Sequence, residues 1–365
     1  MIDDLRNNLT VAGTGIVPAR LTLVGAGLVP ARRVRSGAAT RPWATTQHWA
    51  TTRVAPTVRG LGDRRYSEDG GWIAPVLVAL IVILFTVTPI ALHITQIAHN
   101  KLPTVDEAHP AGGTYEPGEL FADTIVRLVE HELDGRSGWR PNDFFVWGPG
   151  VLADNNANRQ LGIIQAVRES TRIFRDHLTK ISNEQYDDNL QTADQLFRND
   201  AEKFWFPSAE NRYRLGIEHI RKYIAGLKGS GRKSRPINQR NIELIRLFQA
   251  WTDLLGDAHA RLYDENAPFF QTDDYFYHSQ GFAHVMYHLT LAIHREYKAE
   301  IDNRPVLKEL LDGVAAALHQ AASMKPLIVL DGSATGFTAN HRRNLSTYTN
   351  EARQKMYSIR EELEK

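Results

Sequence analysis

The sequence predicts an all-α protein, a helical bundle domain attached to one N-terminal transmembrane helix. Three observations carry that reading. From Trp72 to Ile94 the chain runs without one formally charged side chain. Beyond Glu119 apolar residues recur at helical spacing in eight successive stretches. No stretch between turn signals alternates with the period of two that a strand requires.

The uncharged run comes first. About 20 apolar residues in a helix rising about 1.5 Å each match a hydrocarbon core about 30 Å thick, whereas a core helix of a soluble domain keeps one polar face. Pro75 falls in the first turn, where a missing donor costs little, and Pro89 predicts a kink near the far end. Thr86 and Thr88 can bond back to the preceding turn. A cleaved signal peptide would need a shorter apolar core and an Ala-x-Ala site, and Ala91–Asn100 offers none. Residues 72–94 are therefore expected to be an uncleaved anchor with the lipid bilayer as its partner. Arg53, Arg59, Arg64 and Arg65 precede it, while Lys101 is set against Asp106 and Glu107 after it. The positive-inside rule puts the N-terminus in the cytoplasm. In a Gram-negative cell the chain is then a single-pass inner-membrane protein whose C-terminal domain is periplasmic. The chain has no cysteine, which suits both an oxidising compartment without disulfides and a chain that avoids thiols.

Residues 1–70 read as a disordered, repetitive basic tail. Gly15-Ile-Val-Pro-Ala-Arg20 recurs as Gly27-Leu-Val-Pro-Ala-Arg32, and Trp43-Ala-Thr-Thr46 as Trp49-Ala-Thr-Thr52. Such repeats cannot bury a core. A functional reading is a basic cytoplasmic tail that touches anionic lipid or nucleic acid. The plainer reading, which we favour, is disorder, with translated repeat DNA upstream of the true start as one source and a non-Met codon such as that of Val54 or Val58 as the expected start. The first 70 residues hold ten Arg and five acids; removing them from totals of 43 and 42 leaves 33 basic and 37 acidic residues, net −4. A nucleic-acid partner is not expected from that balance. Residues 95–117, with Pro103, Pro110, Gly112, Gly113 and Pro117, read as a linker.

Residues 118–365 form the helical domain, large enough for one core or two joined subdomains. The first stripe is Phe121, Ile125, Leu128, Val129 and Leu133, ended by Gly135, and the second runs from Leu161 to Leu178. A short third covers Leu190–Phe197. The fourth opens at Ser208-Ala209-Glu210 and carries Ile217, Ile220, Ile224 and Leu227. The fifth uses Leu244, Leu247, Trp251, Leu254, Ala258 and Leu262. The rest span Phe282–Tyr297, Val306–Ala322 and Leu345–Leu363.

Candidate sites are few. His284 and His288 share a helix face one turn apart, a spacing that holds zinc in peptidases, but Val285 stands where those enzymes place a general base. Hydrogen-bonded core histidines are the plainer account, and no cofactor is expected, with zinc as the alternative. The stretch Gly138–Gly150 continues to Asp154-Asn155, and its Trp139, Asn142, Asp143 and Trp147 can line a binding groove or cap the bundle. Asp331, with Asn340 and His341, can form a polar pocket or an extended segment between helices. The basic connection Lys228–Pro236 can meet lipid headgroups or peptidoglycan carboxylates, or simply be solvated. No phosphate loop, nucleophile elbow or paired carboxylates appear, and no catalytic residue is assigned.

Gly138-Trp-Arg-Pro-Asn-Asp143, Gln160-Leu-Gly162, Trp205-Phe-Pro-Ser-Ala-Glu210 with Tyr213, Ile328-Val-Leu-Asp-Gly332 and Ala352-Arg353 together resemble a bacterial family of unknown function. The resemblance covers about residues 72–365. It implies a single-pass proteobacterial inner-membrane protein with a helical periplasmic portion, and it transfers no activity. The expected function is a non-enzymatic envelope scaffold or binding module that meets an envelope protein or peptidoglycan. The alternative is a cell-envelope hydrolase, metal-dependent through His284 and His288.

Overall fold

Periodicity made flesh gives the helices, and polar pairs near their ends fix how they alternate. The computed structural model describes residues 72–99, 101–135, 138–143, 154–179, 186–228, 233–238, 241–264, 266–268, 271–326, 328–332 and 339–365. The repetitive tail 1–70 and Trp147 lie outside the described residues. The apolar run forms α1 (Ile73–Val82), a π-helical turn (Ile83–Val87) and α2 (Thr88–His99). The wide turn precedes Pro89, which has no N–H to continue the ladder, and Thr86 Oγ1 donates to Val82 O at 2.6 Å within it. Among the described residues no single helix is long and apolar enough to cross a membrane. The α-helical pieces hold 10 and 12 residues.

Next come α3 (Val105–Ala108), α4 (Glu119–Asp134), α5 (Asn155–Ile173, prolonged by a π-turn Phe174–Leu178) and α6 (Asp188–Phe197). They are followed by α7 (Ala209–Leu227), α8 (Asn241–Tyr263), α9 (Thr272–Glu296), α10 (Lys298–Asp302), α11 (Pro305–Ser323) and α12 (His341–Leu363). Among the described residues the pairing outside helices is one bridge, Asp331–Asn340.

Ion pairs set the directions. Arg214–Asp134, Arg221–Glu130 and Lys228–Glu119 run α7 antiparallel to α4. Arg159 of α5 meets Glu132 at 2.8 Å, and Asn158 Nδ2 donates to Asp274 at 2.6 Å. The starts of α5, α7 and α9 therefore share one end of the bundle with the end of α4. Gln280 donates to Met324 O, which brings the exit of α11 to that end as well. There α2 docks: His93 Nε2 donates to Pro326 O at 3.2 Å, and Tyr277 OH donates to the same carbonyl at 2.9 Å. We call this the docked end.

Because α4 starts at the opposite end, the chain after α2 must travel the length of the bundle. It does so along α9. Arg295 Nη1 donates to Val105 O at 3.3 Å and also to His109 O, and Val105 is buried. The Glu296 carboxylate then accepts from Gly118 N, Leu120 N and Phe121 N at 2.8–3.2 Å, satisfying the first donors of α4. Within the linker read over residues 95–117, residues 101–117 lie as a strap along the domain. Their Pro and Gly residues suit an extended path that follows another helix as well as they suit a flexible link.

The core is continuous from Phe121 to Leu363. Phe121, Phe174 and Tyr223 pack with centroids 5.0 and 5.3 Å apart, and the buried Trp251 indole donates to Ser170 Oγ at 3.0 Å. Helices α5 and α9 cross backbone to backbone. A Cβ on Gly162 would lie 2.0 Å from His278 O, and one on Gly281 would lie 2.3 Å from Arg159 O.

Candidate functional site

Along α9 the residues Tyr277, Gln280, His284, Tyr287 and His288 recur at steps of three and four, which places them on one face. That face is the floor of a cleft of about 810 Å³. One wall is the strap, Lys101–Thr104 with Glu107; the other is the end of α11, His319 and Ala322–Lys325. The strap wall is held in shape by a capping box: Thr104 N donates to Glu107 Oε2 at 2.6 Å, and Glu107 N donates to Thr104 Oγ1 at 3.3 Å. Arg127 donates to Pro103 O from behind.

His284 and His288 are 5% and 4% exposed, so both side chains are nine-tenths removed from solvent. The sequence favoured core histidines satisfied by hydrogen bonds. Burial is as expected, but among the described residues neither ring has a hydrogen-bond partner. Instead the rings meet edge to face, centroids 4.7 Å apart, and Tyr287 packs on His288 at 5.0 Å and on His319 at 5.1 Å. Desolvation is the main force on both pairs of nitrogens. It drives the His284 pKa well below its ordinary value, helped by Arg159, His288 and His131. It pushes His288 down to about 3, helped by Arg127. The floor therefore offers two neutral imidazoles, each with a donor and an acceptor nitrogen, between exposed Lys101 and Lys325.

Metal binding is a separate question. Among the described residues no group of three or more His, Cys, Asp or Glu side chains could hold a metal ion. Glu107 lines the cleft, but its carboxylate already serves the capping box, and Thr104 holds its pKa low.

The other candidates from sequence do not line this cleft. Trp139 is buried, donating Nε1 to Ala201 O at 2.9 Å and packing on Tyr213 at 5.1 Å. Asn142 Nδ2 donates to Lys203 O at 3.2 Å and Glu210 Oε2 at 2.9 Å. Asp143 pairs with Arg140 at 2.9 Å, while burial raises its pKa. Asp154 precedes α5 without capping it through its side chain, and with Asn155 it sits at the docked end. Asn340 caps α12 by accepting from Arg343 N at 2.8 Å, and His341 Nδ1 accepts from Leu330 N at 3.0 Å. Asp331 pairs with buried Arg342 at 2.8 Å, and Arg342 also donates to the carbonyls of Arg261 and Asp264. These two groups hold loops in place. Of the basic connection, Lys228 is paired with Glu119 at 2.5 Å.

The family model described as "Uncharacterized protein conserved in bacteria (DUF2333)" matches residues 67–265 and 249–365. The chain belongs to this family. No curated protein and no solved structure matches it. In this DUF2333 member the sequence reading found the histidine pair but missed Tyr277, Gln280, Tyr287 and His319 around it. The signal was available on α9, whose polar residues keep the same 3–4 step back to Tyr277, within a helix that begins at Thr272 and not at Phe282.

Proposed function

We propose that this DUF2333 member is a membrane-anchored, non-enzymatic binding module of the bacterial cell envelope. Its single span at 72–94 lies in the inner membrane with the N-terminus cytoplasmic and the helical domain periplasmic. The cleft beside the docked anchor takes the polar part of a ligand or partner. One observation carries the reading. Trp72, Ile73, Val76, Leu77, Val78, the six residues from Leu80 to Phe85, Val87, Ile90 and Ile94 are 37–79% exposed, and α1 buries no residue, so this surface has no cover from the domain. Taken through the π-turn as one run, Ile73–His99 rises roughly 40 Å, enough to span with some tilt. The docking of His93 on Pro326 then seats the domain directly against the membrane.

Fusions at Lys365 test the topology. Active alkaline phosphatase and a dark cytoplasm-only fluorescent protein are expected, and the reverse pattern refutes it. A second reading, a metal-dependent envelope hydrolase, is favoured by the His284–His288 pair, whose rings have no hydrogen-bond partner among the described residues and face a cleft that also contains Glu107. Elemental analysis of the full-length protein separates the two. Stoichiometric zinc that vanishes in a His284→Ala, His288→Ala double variant supports the hydrolase, and metal-free protein supports the binding module.

A further inference from the structure

The docked end carries a second apolar feature. Phe204, Trp205 and Phe206, in the loop between α6 and α7, are 55%, 77% and 89% exposed. Three consecutive aromatics in water are costly unless something covers them. The loop is no frayed excursion. Trp139 donates to Ala201 O, Asn142 to Lys203 O, Arg168 Nη2 to Asn199 O at 2.6 Å and Tyr213 OH to Asn199 O at 3.1 Å. Ala209 N closes its base on Lys203 O at 3.1 Å, and Phe204 and Trp205 stack edge to face at 5.5 Å. A buried clamp thus holds an exposed tip.

The helix directions place that tip. It precedes α7, whose start pairs with the end of α4 through Arg214–Asp134. That end of α4 meets the start of α5 through Glu132–Arg159, and α5 meets the start of α9, where Tyr277 and Pro326 receive the anchor helix. Tip and anchor therefore leave the same end of the bundle.

We propose that Phe204, Trp205 and Phe206 enter the headgroup–acyl boundary of the bilayer that holds the anchor, giving the domain a second membrane contact. Aromatic side chains with an amphipathic indole are the residues that settle at that depth. Lys203, Lys101 and Lys325 lie at the same end and offer cations to lipid phosphates, against Asp200 and Glu202 on the same limb of the loop as Lys203. Trp139 and Asn142 act in this as positioning residues. The inference rests on residues 72–94 being the membrane span.

Because the chain has no cysteine, single-cysteine variants can be spin-labelled at one place only. Trp205→Cys and Phe206→Cys alter exposed side chains and leave the clamp intact. The full-length protein is labelled at each in lipid nanodiscs, with Val78→Cys reporting the anchor and Val306→Cys, at the start of α11, reporting the opposite end. Collisions with oxygen and with a water-soluble nickel chelate give depth. Labels at 205 and 206 are expected to be oxygen-rich and nickel-poor, like 78 and severalfold different from 306. Nickel access at 205 and 206 equal to that at 306, with 78 lipid-exposed, overturns the inference while leaving the anchor standing. Low access to both reagents at 205 and 206 also overturns it, since a protein surface then covers the tip. An aqueous label at 78 refutes the anchor itself and the inference with it.

Discussion

Acid should destabilise this domain in part through its cleft, alongside His278, which lies outside the cleft and which burial pushes down to about 4. Between pH 7 and 5 the unfolded chain takes up protons on histidine at the ordinary pKa near 6.5, while His288 in the folded cleft stays neutral down to about 3. A folded pKa below the unfolded one means stability that is present above pH 6.5 and is lost as pH falls. At pH 5 the unfolded imidazole lies about one and a half pH units below its pKa, and at about 1.4 kcal/mol per unit the loss is about 2 kcal/mol from His288 alone. His284 acts in the same direction. Asp274 acts in the other: burial and the neighbouring Asp273 raise it to about 6, so the folded state gains as pH falls. Asp274 is half open to solvent, and after discounting for screening it returns less than about 1 kcal/mol. The histidines win. The measurement is urea unfolding of detergent-solubilised full-length protein, followed by tryptophan fluorescence, at pH 7 and 5. The wild type should lose at least about 2 kcal/mol more than a His284→Gln, His288→Gln variant over that interval. Equal losses would show that the imidazoles titrate as solvated groups and that the cleft does not exclude water from them.

Three further outcomes follow from packing. Gly281→Ala puts a methyl 2.3 Å from Arg159 O and forces α5 and α9 apart, costing about 1–3 kcal/mol or more, seen as a lowered Tm. Arg159→Met leaves the Glu132 carboxylate, 5% exposed, without its cation, a loss of about 3–5 kcal/mol by chemical denaturation that adding Glu132→Gln should partly restore. Glu296→Ala strips the acceptor from three backbone donors at the start of α4, and hydrogen exchange at Gly118, Leu120 and Phe121 should accelerate, with a stability loss of about 1–3 kcal/mol.

The helices were legible because each must bury a stripe, and a stripe such as Phe121–Leu133 or Leu345–Leu363 is written locally. Their partners were not. Nothing near Glu296 in the sequence says that it serves Gly118, and nothing near Trp139 names Ala201. The spacing of His284 and His288 was visible, yet the cleft around them needs a strap and the end of α11, which arrive from far along the chain. Gly162 and Gly281 lie inside helices, and nothing local marks them as the places where α5 and α9 meet backbone to backbone. Asp331, Asn340 and His341 read equally as a pocket or as an extended segment between helices, because loop-fixing and ligand-binding use the same side chains.

The strap imposes an order on the birth of the molecule. Val105 leaves the ribosome 190 residues before Arg295, and His93 leaves 233 before Pro326. Throughout that interval residues 101–117 have no α9 to lie on, and α4 has no Glu296 at its start. At synthesis rates of about 5–20 residues per second the wait lasts roughly 10–40 s. Closing so large a loop costs entropy that only the finished bundle can repay. The cleft, whose wall is the strap, is therefore among the last parts of the protein to exist, and a nascent chain cut short before α9 has helices but no site.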